Sequence, residues 1–370
     1  MTTTLKRLVG RKYQHIEDLV FTNGSIGGLH AVERMQDMCT HGGSIELKWD
    51  GSPVVYWGRD ANNRFMLIPK NAWEYLKRGK LTNNAGVSTL MYSPQDIERF
   101  ILSTGKTQDE NRKRYAVQIA ALWESFEEIS PQHGFVEGSL MFYPESKPVS
   151  DPTGMYEFTP NITTFHIPRN SLIGEKINHA KIMVAATGYY SELGSNDESR
   201  ITDAGKLSST KVLVQGTVYV QDTPEISTVT LESATQFIAD NSGIIDSFLE
   251  GERGLSNPGE VLYKFYNQCL RLPNSKHKFK DWVITEFPTG AKAQKILNRP
   301  GLEQTLTAVE ILTNAKLEII YSLKSNSHCG IKQTNPEGYV QAHPDRQFKH
   351  QLTGQFIKLI DQSNWAPRKD

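Results

Sequence analysis

The hydrophobic pattern of this chain changes period twice, and those changes limit the folds open to it. From about residue 44 to 190, apolar and polar residues alternate in runs at period two. From Leu231 to Leu323 the apolar residues recur at three and four, and short alternating runs return after residue 330. Period two puts successive side chains on opposite faces of a strand, whereas a period near 3.6 lines one face of a helix. The simplest path is therefore a β-rich domain formed by residues 1–190 and 331–370, interrupted by a mostly helical insertion at 191–330. The expected class is α+β with antiparallel, β-rich sheets.

Local signals place the elements. A helix is expected over 26–38, with Ser25 as N-cap and Ile26, Leu29, Val32 and Met35 on one face. Strands near 44–49, 54–58 and 64–69 read as a meander, with Asp60-Ala61-Asn62-Asn63 as its second turn. Arg112 to Ser130 reads as one helix with Val117, Ala120, Ala121, Trp123 and Phe126 as its apolar stripe. Strands follow near 134–143, 162–167, 181–186 and 212–220. Helices are expected over 231–248, 259–272, 278–286 and 303–323, punctuated by Pro258, Pro273, Pro288 and Pro300. Strands at 338–340 and 348–350 and a closing helix over 353–361 complete the reading.

Composition excludes several classes. With 370 residues, 38% hydrophobic and 22% charged, the chain has room for two or three domains or for one large domain with an insertion. Lys+Arg and Asp+Glu both number 41, so a polyanion could be met only by a local patch. The first 21 residues mix charges with apolar side chains and offer no signal-peptide core, and no run approaches a membrane span. No membrane contact and a cytoplasmic location are expected. Cys39, Cys269 and Cys329 lie far apart without a Cys-x-x-Cys pair, which argues against a disulfide framework and for a reducing compartment. His328, Cys329, His343 and His350 lack the paired spacing of a zinc site.

The segment richest in chemistry is Lys48-Trp49-Asp50-Gly51, at the end of an alternating strand. Ile45, Leu47 and Trp49 share one face; Glu46, Lys48 and Asp50 share the other. Asp50-Gly51-Ser52-Pro53 is turn composition, and Val54-Val55-Tyr56-Trp57 is the returning strand. Desolvation and neighbouring cations favour the free amine of a lysine, so a lysine held on a rigid strand beside a carboxylate suits a nucleophile. Farther along come Glu137-Gly138 on an alternating strand, the aromatic runs Tyr156-Glu157-Phe158 and Thr163-Thr164-Phe165-His166, then Glu337-Gly338-Tyr339-Val340 and Phe348-Lys349.

In that order these motifs resemble the covalent nucleotidyltransferase superfamily of ATP-dependent polynucleotide ligases and RNA-capping enzymes, and most of all phage RNA ligases. The longer string His15-Ile16-Glu17-Asp18-Leu19-Val20-Phe21, Lys48-Trp49-Asp50-Gly51-Ser52-Pro53, Gly138-Ser139-Leu140-Met141-Phe142 and Phe158-Thr159-Pro160-Asn161 is similar to proteins of large tailed phages. The resemblance implies an ATP-grasp-like ligase adenylylation domain carrying the helical insertion. It further implies that Lys48 attacks the α-phosphorus of ATP to form lysyl-AMP. Glu46, Asp50, Glu137, Phe165, Glu337 and Lys349 would then surround the nucleotide, Glu137 and Glu337 serving Mg²⁺ or the ribose and Phe165, ahead of Phe158, stacking on adenine. Either Arg59 or Lys70 fills the place of the downstream basic contact, and spacing does not choose between them. The sequence departs from the family where Glu137 precedes rather than follows its glycine and where Gln351 stands in a place often basic.

After Lys349 only 370 − 349 = 21 residues remain, too few for the oligonucleotide-binding barrel of DNA ligases and capping enzymes. The expected acceptor-binding part is the helical insertion. There Lys264 to Arg299 carries eight basic residues, Lys276, Lys278 and Lys280 among them, against Asp281 and Glu286, with Phe265, Tyr266, Phe279 and Trp282 interleaved. Basic groups neutralise phosphates and aromatics stack on unpaired bases, so a nucleic-acid partner, RNA before DNA, is the expectation. Two functions follow: an RNA ligase that moves AMP from Lys48 to a 5′-phosphate and seals with a 3′-hydroxyl, or a non-ligating AMP-transferring, nucleic-acid-binding or structural phage protein on the same fold.

Overall fold

The computed structural model describes residues 13–40, 45–104, 110–199, 201, 203–219, 223–250, 257–268, 275–287, 290–323, 331–334, 340–341, 346–349 and 356–360. In chain order the strands are β1 (Tyr13–His15), β2 (Ile45–Leu47), β3 (Val54–Arg59), β4 (Phe65–Pro69), β5 (Gly134–Phe142), β6 (Met155–Phe158) and β7 (Thr164–Pro168). They continue with β8 (Ile182–Tyr190), β9 (Val212–Gln215), β10 (Lys332–Thr334), β11 (Val340–Gln341), β12 (Arg346–Lys349) and β13 (Phe356–Leu359). The fold is α+β with mostly antiparallel pairing. Two compact units form: Met1–Lys48 with Tyr219–Cys329 and Asn335–Asp370, and Trp49–Val218 with Gly330–Thr334. Among the described residues no helix is long and apolar enough to cross a membrane.

The first unit joins chain ends to the helical region, so the division into 1–190 with 331–370 against 191–330 does not match the packing. The helix Asp18–Thr40 packs on the helices Thr228–Asp240, Ser242–Leu249, Pro258–Gln268 and Leu302–Ser322. Its apolar face, Leu19, Val32, Met35 and Met38, shares one core with Ile238, Ile245, Leu262, Phe265, Leu312 and Ile319. An amphipathic helix goes where its apolar face is covered, and sequence order does not decide that. Beside it lies the sheet β1-β13-β12-β2, with β1 parallel to β13 and the other neighbours antiparallel. The closing helix expected over 353–361 is corrected by β13, because Phe356–Leu359 is hydrogen-bonded on both sides, to β1 and β12. Tertiary ladders override a weak helical pattern.

Other boundaries also move. The helix expected over 112–130 is two, Glu110–Ala120 and Trp123–Glu128, and Val117 of its supposed apolar stripe is 58% exposed. The helix expected over 231–248 breaks at Asn241. Ser25 does stand at a helix start, but its own side chain is not the cap. The helix is interrupted at Gly24 (φ 61°), and the Asp246 carboxylate accepts the Ser25 N–H at 2.7 Å and the Ser25 hydroxyl at 2.9 Å. Gly24 is required twice over: its φ is in the left-handed region, and a Cβ there would run into the Asp246 carboxylate. Gly24→Ala should therefore lower the unfolding free energy of this unit by about 1–3 kcal/mol in chemical denaturation; an unchanged midpoint would contradict this account.

The second unit is built on the sheet β4-β3-β5-β8-β9, antiparallel except for β8 with β9. The meander expected over 44–69 is present only from Val54 onward, because β2 pairs with β12. The core of this unit gathers Trp57, Trp73, Phe126, Phe135, Val184 and Val212. The β6–β7 hairpin, with β10 against β7, forms a separate antiparallel sheet. Helices Lys70–Leu76, Pro94–Ser103 and Leu172–His179 are additions to the sequence reading. The last two carry N-caps, Ser93 accepting from the Asp96 N–H and Ser171 from the Gly174 N–H.

Candidate functional site

Lys48 closes the first unit and Trp49 opens the second. The strand that delivers Lys48 is firmly held: Ile45, Glu46 and Leu47 are all buried, and Arg346↔Leu47, Gln347↔Glu46 and Phe348↔Ile45 pair with β12. Glu46, 3% exposed, also bridges to Tyr219. It is a strand-interior carboxylate. The same register locates the backbone of Lys349. Since Phe348 faces Ile45, Lys349 falls beyond the start of β2, whereas Lys48 follows its end. At a rise near 3.3 Å per residue the two backbones are roughly 13 Å apart along the ladder. Glu337 lies outside the described residues.

Past Lys48 the turn is clamped to β5. A Cβ on Gly51 would lie 2.5 Å from the Leu140 carbonyl oxygen and 2.8 Å from both the Met141 sulfur and Ser139 Cβ, so only glycine permits this approach. The Leu140 N–H donates to the Pro53 carbonyl at 2.9 Å, fixing turn and strand in one register. Lys48 and Asp50 are half-buried on either side of Trp49, which is 8% exposed. The Trp49 indole N–H has no acceptor among the described residues. A buried, unmatched donor costs on the order of 1–3 kcal/mol, and this atom is too enclosed to meet a ligand without movement of the turn.

Strand register also separates the two downstream basic residues. Val55 pairs with Pro69, so Lys70, exposed at the start of the helix Lys70–Leu76, emerges at the end of the hairpin that adjoins Gly51. Arg59 ends β3, about 17 Å from Val54 at the usual strand rise. It donates to the Asn63 carbonyl at 3.2 Å, beside the Phe65 ring. Lys70 is at the motif end and Arg59 at the other.

Glu137 is brought to this sheet, though not as an open ligand. It pairs across β3 with Tyr56 and is 7% exposed. The Tyr190 hydroxyl donates to Glu137 Oε2 at 2.7 Å, and the Tyr56 hydroxyl bonds the same carboxylate. Tyr56 stacks on Trp73, centroids 4.3 Å apart. Burial first, then the Glu137 charge, pushes both phenols well above their ordinary pKa, so they remain donors throughout the physiological range. The sequence marked Tyr56 only as a strand residue and left Tyr190 beyond the strand expected over 181–186; their role appears once β3, β5 and β8 align. Mg²⁺ prefers open, partly hydrated carboxylates, and a carboxylate closed in by two phenols does not fit that assignment.

The aromatic prediction is corrected in the same way. Phe165 is fully buried, its ring 5.3 Å from Trp49 and 5.8 Å from Phe158, which in turn meets Phe142. A ring enclosed in an aromatic core presents no face to adenine, so base stacking does not carry over to Phe165 or to Phe158, 5% exposed. What these rings do is anchor Trp49, and with it the motif turn.

The basic segment divides. Phe265 and Phe279 are buried core residues, and Trp282, packed on both, donates to Gln268 Oε1 at 2.8 Å; they are not exposed stacking platforms. Lys276 is neutralised by Glu310 at 2.9 Å and Glu303 at 3.6 Å, and its hydrogen bond to Glu310 raises its pKa. Lys264 is paired with Glu286. Lys278 and Lys280 are exposed.

The profile of a family of unknown function, DUF6267, matches residues 12–77 and 98–365, and the chain belongs to that family. No curated protein and no solved structure matches it.

Proposed function

We propose that this chain is an ATP-dependent nucleotidyltransferase that takes AMP onto Lys48 and passes it to a 5′-phosphate, in the manner of an RNA ligase acting in the cytoplasm. The observation that carries the reading is the clamped turn: Gly51 seated against Ser139–Met141, Trp49 fixed by Phe165, and Lys70 at the same end of the sheet. A nucleophile needs a rigid mount, and the segment following Lys48 supplies one.

In this reading the Lys48 amine attacks the α-phosphorus. A P–N bond forms, the bond to the bridging oxygen breaks, pyrophosphate leaves with the electron pair, and the nitrogen loses its proton to solvent. Lys70 opposes the charge that grows on the phosphate oxygens. Mg²⁺ supplies charge neutralisation in such reactions. Because Glu137 does not suit it, no step here depends on a metal site.

Charge that develops in the transition state is stabilised by a correctly placed cation, so Lys70→Ala should slow formation of the Lys48 adduct by about 10²-fold, with Arg59→Ala close to the parent. Single-turnover labelling measures both. Equal losses in the two variants would remove Lys70 from the site.

A second reading is AMP transfer to an acceptor other than nucleic acid. It is favoured by one observation: the aromatics of the basic helical segment are buried and Lys276 is already paired. Supplying the labelled protein with 5′-phosphorylated RNA separates the two, since label moves to the strand in the first reading and stays on Lys48 in the second.

A further inference from the structure

A cleft lies wholly within residues 153–179, between the β6–β7 hairpin and the helix Leu172–His179. Its volume is about 810 Å³, enough for a nucleotide-sized ligand. Its walls are polar: Thr153, Asn170 and Asn178 contribute hydroxyl and amide groups, and Arg169, Lys176 and His179 contribute basic ones against the single carboxylate of Glu175. Gly154 and Tyr156 complete the lining.

Arg169 is the telling residue. Its Nη1 donates to the Ser150 hydroxyl at 3.3 Å, its guanidinium lies 6.0 Å from the Tyr156 ring centre, and its backbone N–H donates to the Gly154 carbonyl at 3.0 Å. No carboxylate pairs with it among the described residues. It stands two residues ahead of the Ser171 N-cap, whereas the helix residues that line the cleft belong to the second half of Leu172–His179, so the basic lining and not the helix dipole favours an anion. Lys176 and His179 in the last turn complement the helix dipole, which explains them on local grounds. Arg169 has no such explanation. The far wall is held in place by other bonds: the Tyr156 hydroxyl donates to Asn178 Oδ1 at 2.9 Å, and the Lys147 amine donates to the Asn178 carbonyl at 3.0 Å, adding positive charge nearby. An apolar ligand would have to desolvate these groups without return. An oxyanion satisfies them.

We infer that this cleft binds a phosphate monoester, with Arg169 and Lys176 as its charged contacts. The site is independent of the chemistry assigned to Lys48. A phosphate monoester can arrive as a free nucleotide or as the end of a strand, and both present the same dianion to the planar fork of Arg169.

The test is binding by titration calorimetry on the full chain with four probes: inorganic phosphate, 5′-AMP, a short 5′-phosphorylated oligoribonucleotide and the same strand with a 5′-hydroxyl. Binding of a phosphorylated probe, weakened about tenfold or more in Arg169→Gln and in Lys176→Gln while both variants melt like the parent, is the expected result. A preference for 5′-AMP over the phosphorylated strand identifies a small ligand, and the reverse identifies a strand end. Parent protein that binds none of the phosphorylated probes would overturn the inference, as would equal binding of the 5′-hydroxyl strand or parent-like affinity in both variants. Lys176 is exposed, so its variant keeps the test decisive if Arg169→Gln fails to fold.

Discussion

Lys48→Ala protein, incubated with Mg²⁺ and ATP labelled at the α-phosphate, should carry no acid-labile label, whereas the parent acquires it. The loss is expected to be complete because removing the amine removes the atom that forms the P–N bond; no neighbouring group can replace it in a covalent mechanism. The control is folding. Lys48 is half-buried at the end of β2, so circular dichroism and the unfolding midpoint of the variant should stay near those of the parent. Label retained at the parental level in Lys48→Ala would remove Lys48 as the acceptor and with it the nucleotidyltransferase reading. Label absent from the parent under the same conditions would do so too, and the intact Lys-x-Asp-Gly turn would then be a structural relic.

The second large effect concerns stability. Lys316, 1% exposed on the helix Leu302–Ser322, places its amine 2.7 Å from Glu17 Oε1, which is fully buried; His15 Nδ1 is 3.8 Å from the same oxygen. Two opposite charges taken out of water together repay their desolvation only as a pair. Removing one leaves the other buried against apolar neighbours, at a cost of about 3–5 kcal/mol. Lys316→Met should therefore destabilise the helical unit by that amount in urea. The double change Glu17→Leu with Lys316→Met should recover most of it, because no buried charge is then left behind. A single variant within about 1 kcal/mol of the parent, the range of exposed pairs, would mean the charges are solvated.

That pair explains part of the string His15-Ile16-Glu17-Asp18, which in the sequence carries only a resemblance. His15 donates its backbone N–H to Asp18 Oδ2 at 3.2 Å, which ties β1 to the start of the helix Asp18–Thr40, and Glu17 reaches across to the helix Leu302–Ser322. The partners are 299 residues apart. Nothing local in either segment announces the other.

Much of the motif strand was legible for a physical reason. Alternation requires only that neighbouring side chains face opposite ways, so β3, β4 and β5 could be read from their own residues, and so could the turn between Lys48 and Val54; β8 was legible only as the continuous apolar run at 181–186. The basic segment was legible as composition only. Lys278 and Lys280 are exposed as expected, but Phe265 and Phe279 went to the core because helical spacing reads alike for a stacking surface and a buried stripe.

The sequence by itself determined most element types, the α+β class, the position of the motif turn and the candidate nucleophile, since each depends on residues within a few positions of one another; that the turn admits only glycine at 51 was decided by its contact with Ser139–Met141. Tertiary structure alone decided that Lys70 and not Arg59 sits at the Gly51 end, that Phe165 is enclosed by Trp49 and Phe158, that Glu137 is closed in by Tyr56 and Tyr190, and that the helix Asp18–Thr40 joins the helical unit. Each of these depends on strand register or on which apolar face covers which. Periodicity states that a face is to be buried; only the packed chain supplies the surface that buries it.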